Sequence, residues 1–135
     1  MSVTNYASAK ILDKAFGAID YTPPVNYYMG LSTTPFSSSG SNATEPVSGS
    51  YARVLFANDK TYFGWASGAV ITNGCAITFP VSGSAWGTIT HIGLWDTITS
   101  GSVWFYEALP VAKIVQIATQ VSFDAGAISI TTTGS

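Results

Sequence analysis

From Tyr51 onward the chain alternates with a period of two almost without interruption. A period of two turns successive side chains to opposite faces of a strand. Tyr51, Arg53 and Leu55 alternate with Ala52, Val54 and Phe56. In GAVITNGCAITFP the pair Asn73-Gly74 suits a two-residue type I′ turn, which predicts a hairpin with arms Ala69–Thr72 and Cys75–Phe79. Thr88–Asp96 and Val103–Leu109 form two more expected strands joined through 97–102. Lys113–Ile117, Gln120–Phe123 and Ala127–Thr132 complete the set. Roughly eight short strands separated by turn signals predict an antiparallel β-sandwich of jelly-roll-like type.

The first half differs. Asn5 to about Phe16 has helical spacing, with Thr4 or Asn5 as N-cap and Gly17 as a left-handed terminator. Ile11, Leu12, Ala15 and Phe16 share one face, and Lys10, Asp13 and Lys14 point elsewhere. So short a helix needs a surface to dock on, and its own domain is the expected one. Pro23 and Pro24 force an extended entry to a strand in which Val25, Tyr27, Met29 and Leu31 face one way. Ser32–Ser50 is rich in serine, glycine and proline and reads as a long surface loop. The expected organisation is a single domain over 1–135, with a helix and arm at about 1–24 and the loop at 32–50.

Composition narrows the function. Only 9% of the residues are charged, so hydroxyls and backbone must cover much of the surface; the chain has 17 serines and 16 threonines. Its five basic residues are scattered, which argues against nucleic-acid binding. No apolar run approaches the ~18 residues a membrane helix needs. The start MSVTNYASAKILDK does not read as a secretory signal. With one cysteine, Cys75, and one histidine, His91, neither an internal disulfide nor a nitrogen–sulfur metal site is expected. No cofactor motif is found.

The stretch WGTITHIGLWDTITSGSVWFYEAL gathers His91, Asp96, Glu107 and three of the four tryptophans. It has the residue types of an active site. Yet His91 and Asp96 are five apart on one strand and point to opposite faces, so they cannot form a dyad without a bulge. His91 is expected to share a face with Ile89, Gly93 and Trp95. Asp96 and Glu107 are the best carboxylate pair for a glycosidase, which needs about 5 to 10 Å between carboxyls. Asp96 also stands where a strand meets its turn, and a turn amide is the expected partner of its carboxylate. The chain is therefore read as a non-enzyme.

Several linked segments occur in a fixed order: NYASAKILDKAFG, YTPP, YYMGLSTTP, TEPVSGSYAR, AITFP and WGTITHIGLWD. In this the chain resembles, over nearly its whole length, a family of small bacteriophage virion proteins labelled tail-fibre-like. It departs modestly, with Trp95 where a smaller residue is common and Glu107 where glycine is usual. A fibre shaft calls for heptads or repeats, and the chain has neither. The resemblance therefore implies a virion structural protein made in the host cytoplasm. The location expected is the capsid surface, as a decoration (cement) protein bound to the major capsid protein. Self-association as a dimer or trimer is the accompanying expectation. The alternative is a tail-fibre or tail-appendage component with a host-glycan-binding role. Candidate interface residues are Ile11, Phe16, Tyr21 and Tyr28, with the aromatic cluster Tyr62, Phe63 and Trp65. No catalytic, metal or cofactor residues are assigned.

Overall fold

The densest packing follows from two long strands and a shorter neighbour. In the computed structural model, which describes residues 1–131, β6 (Gly87–Trp95) pairs antiparallel with both β2 (Asn26–Ser32) and β7 (Val103–Val115). Leu31 stands opposite Ile92 and Met29 opposite Leu94, so all four apolar side chains fall on one face and are buried. Burying each such side chain contributes about 1.5–3 kcal/mol.

Around this centre stand β1 (Ser2–Val3), α1 (Asn5–Ala15), β3 (Val54–Ala57), β4 (Val70–Thr72), β5 (Ile77–Thr78), β8 (Ser122–Phe123) and β9 (Ser129–Thr131). The main sheet has the order β1-β7-β6-β2-β3, and two ribbons, β4–β9 and β5–β8, complete the fold. Ile77, Phe123 and Ile128 join Met29, Leu31, Phe56, Ile92 and Leu94 in one core cluster, so the ribbons pack on the sheet. The protein is mostly β, with antiparallel sheets packed together and one short helix at the N-terminus, as the periodicity requires. Nine strands form among the described residues, against about eight expected. Thr132, the last residue of the final expected strand, lies outside the described residues.

Three local expectations are corrected. Asn73-Gly74 is not a hairpin turn: β4 pairs with β9, and β5 pairs with β8. Asn73 is buried. Its amide donates to the carbonyls of Cys75 and Asp124 and accepts from the Ile128 N–H, each at 2.9 Å. These long-range bonds outweigh the local turn preference. Gly74 is there for room, since a Cβ would lie 2.5 Å from the Thr61 carbonyl oxygen.

The two strands expected at Val103–Leu109 and Lys113–Ile117 are one, β7. Between the pairs Ile89–Lys113 and His91–Ala108, β6 spends one residue and β7 spends four. Leu109–Ala112 is thus a large bulge, and Pro110, which has no ladder N–H to give, sits in it. That shift also undoes the expected face. Ile89 turns into the main core, whereas His91 stays on the other side of the sheet beside Phe36.

Candidate functional site

The second face of the sheet is organised by two glycines. Gly30 on β2 and Gly93 on β6 stand opposite one another. A Cβ at Gly30 would lie 2.6 Å from the Trp95 ring, and one at Gly93 would lie 2.8 Å from the Phe36 ring. The pair therefore opens a slot that two aromatic rings fill, with centroids 5.5 Å apart. Val103 and Tyr106 close the cluster. Phe36 belongs to the Ser32–Ser50 segment, so this loop lies on the sheet and is anchored there.

Polar bonds finish the anchoring. The Arg53 Nε and Nη2 donate to the two carboxylate oxygens of Glu45, at 2.9 and 2.7 Å. Its Nη1 donates to the carbonyls of Thr97 and Ser100, at 2.8 and 2.7 Å. The guanidinium also stacks 4.1 Å over the Trp95 ring, a cation–π contact out of water. The Tyr51 hydroxyl donates to Glu45 Oε1 at 2.7 Å and accepts from the Leu31 N–H at 2.9 Å. Burial first, and then the charge of Glu45, push the Tyr51 phenol far above its ordinary range. Gly49 takes a positive φ, and its carbonyl accepts from Trp86 Nε1 at 3.0 Å. The segment TEPVSGSYAR thus spells a knot that ties the loop to β2 and to the 97–102 turn. Its signal in the sequence was an acid and an arginine inside one short motif of a charge-poor chain.

The catalytic candidates are occupied elsewhere. Asp96 Oδ1 accepts from the Ser102 N–H at 2.8 Å, and Oδ2 accepts from Trp104 Nε1 at 3.2 Å. Glu107 stands opposite Ile92, four residues along β6 from Asp96, or about 13 Å at strand rise. Its carboxylate lies 3.7 Å from the Met1 α-amino group. Burial raises its pKa and the amino group opposes that rise. His91 Nδ1 sits 2.7 Å from the Thr90 hydroxyl. His91 and Glu107 border one polar cleft of about 460 Å³ with Tyr106 and Ser2. The two are on opposite faces of the sheet, since His91 pairs with Ala108 and Glu107 with Ile92. Among the described residues, no group of three His, Cys, Asp or Glu side chains could hold a metal ion. No helix among them is long and apolar enough to cross a membrane.

The candidate interface residues do not form one surface. Phe63 is a core residue, 4.3 Å from Phe56 and 5.8 Å from Tyr27 between ring centroids, so no partner can reach it. Tyr62 is half-buried, edge-on to Phe56. Tyr21 is half-buried beside Trp104. Tyr28 is half-buried on β2, between Trp95 and Leu55 in the register. Two exposed sites remain.

Trp65 is 81% exposed, with Lys60 Nζ 5.0 Å over its ring. The other site is α1. Thr4 caps the helix by accepting from the Ala7 N–H at 3.3 Å, and the Thr4 hydroxyl donates to the Val103 carbonyl at 2.7 Å. Of the helix residues only Ala7 is buried. Ile11, Leu12 and Phe16 are exposed, and Ile19 continues the patch. The expectation that this face docks on its own domain is corrected: only its N-terminal turn does.

The comparisons with known proteins decide the family. The family model described as Podophage GP4 fiber I protein gp80 matches residues 2–131. The chain belongs to this family of phage tail-fibre proteins. No curated protein matches the sequence. The family is one of structural fibre proteins, and it replaces the capsid-decoration reading and its capsid-surface location. The error lay in demanding a shaft. An extended fibre needs no heptads or triple β-helix, because compact domains joined by heterologous contacts also build filaments.

Proposed function

We propose that this chain is a non-catalytic assembly module of the tail fibre, joined to further copies of itself or to neighbouring tail proteins. One observation carries this reading: an uncharged apolar surface, Ile11, Leu12, Phe16 and Ile19, is uncovered on a chain whose carboxylates are committed to structural bonds. An exposed apolar patch of this kind marks an interaction surface. The test is cryo-microscopy of the intact virion. Density for the domain within the tail fibre, with α1 against another chain, is expected. An assembled fibre in which α1 faces solvent would overturn the reading.

Trp65 favours a second role, contact with a host glycan. Lys60 covers one side of the ring and supplies a hydrogen-bond donor beside it, which leaves an indole face available to stack on a sugar. Glycan-array binding by the wild type that disappears in Trp65→Ala supports this role; binding unaltered by the substitution removes it.

A further inference from the structure

The exposed flank of α1 carries both a knob and a hole. Phe16, at the C-cap, is 83% exposed, and its N–H bonds the Leu12 carbonyl at 2.8 Å. It therefore continues the row Ser8, Leu12, Phe16, one residue in every four. At the other end of that row lies a largely apolar groove of about 640 Å³, lined by Val3, Ser8, Ile11, Leu12, Phe105 and Ile130 among others. Leu12 is midway, about 6 Å along the helix from each end.

We infer that this flank binds a second copy of the chain through a two-fold axis passing beside Leu12. The inference rests on the assembly reading and names its partner. Antiparallel helices related by that axis place Phe16 of each copy over Ser8 of the other, a large side chain on a small one at the mouth of the groove. Rows of every fourth residue interdigitate in the commonest class of helix packing. A two-fold contact uses one self-complementary patch twice, which is the arrangement found here.

Charge fits the same occupant. The row bears no charged side chain, so two copies bury no unpaired ion. The helix charges are satisfied within the subunit, since Lys14 pairs with Asp20 and Lys10 lies 4.9 Å over the Tyr6 ring. Energetics also call for cover. A helix of 11 residues is too short to be stable alone in water, and its own domain buries only Ala7.

The test uses the full chain with Leu12→Cys in a Cys75→Ser background. A residue on a two-fold axis meets its own copy, so mild oxidation is expected to give a covalent dimer. Asp13→Cys, on the opposite flank, should give none. Sedimentation equilibrium supplies the second measurement: Phe16→Ser removes two buried rings per dimer and should weaken self-association by roughly a hundredfold or more. Circular dichroism confirms that these surface variants fold. Self-association unchanged by Phe16→Ser, without the Leu12→Cys cross-link, overturns this interface while leaving assembly through another surface intact. A chain that stays monomeric at millimolar concentration, with α1 packed on a different tail protein in the fibre, also overturns it. Only an α1 bare in the fibre removes the assembly reading as well.

Discussion

The Ser32–Ser50 segment and the N-terminal helix reverse each other's expected roles. The first is poor in apolar residues and reads as surface, yet it is fastened to the sheet through Phe36, Glu45 and the Arg53 knot. The second is amphipathic and reads as docked, yet most of its apolar face meets solvent. Apolar periodicity states that a face must be covered. It does not state by which chain. A polar segment, for its part, can be rigid when every donor finds an acceptor, as Ser32 does by taking the Thr44 N–H at 2.9 Å and giving to the Thr34 carbonyl at 2.7 Å.

The largest effect expected is at the knot. Arg53→Ala leaves Glu45 without its charge partner and two carbonyls without donors, and should cost about 3–5 kcal/mol in urea denaturation. A cost below about 1 kcal/mol would show that the loop is held by something else. Phe36→Ala follows, at about 3 kcal/mol, because a ring only 8% exposed leaves a cavity against Trp95 and Tyr106. If Phe36 tolerates alanine freely, the loop is surface after all. Gly93→Ala sharpens the point with a gain of one methyl: it drives a Cβ into the Phe36 ring and should cost about 1–3 kcal/mol.

Alkaline pH probes the same knot more gently. Burial raises the phenols of Tyr27 and Tyr51 well above the ordinary value. The unfolded chain releases those protons near pH about 10, where the native chain still holds them. Unfolding is then favoured as pH rises, so stability is whole below that range and falls through it by up to about 1.4 kcal/mol per pH unit for each phenol. Tyr51→Phe should flatten this fall while weakening the protein at neutral pH through the lost bond to Glu45. Parallel wild-type and variant curves above pH about 10 would contradict the assigned burial.

Much of this architecture was legible. Alternation in 88–96 and 103–109 marks β6 and the first half of β7, and Thr4 marks the start of α1. What escaped reading depends on distant partners. Asn73-Gly74 carries a strong local turn signal, but Asn73 answers to Asp124 and Ile128, about fifty positions away. The bulge at Leu109–Ala112 reflects register with β6, which no local pattern encodes. Glu45 and Arg53 lie eight apart across a turn-rich stretch, and only the fold brings them onto one aromatic ring. The site suffered in the same way. His91, Asp96 and Glu107 cluster in sequence, but their side chains turn to separate tasks.

The smallest effect separates the two regions most cleanly. Phe16 and Phe36 are the same residue type, one on the helix that reads as docked and one on the loop that reads as free. At concentrations too low for self-association, Phe16→Ser should change the denaturation midpoint by less than about 0.5 kcal/mol, because an exposed ring gives up little on truncation. At high concentration the wild type should gain stability that the variant lacks, since association with the folded chain alone shifts the equilibrium by mass action. A loss above about 2 kcal/mol in the dilute monomer would instead make Phe16 a core residue of its own domain. The contrast between helix and loop would then vanish, and with it the reason to seek the helix's cover in another subunit.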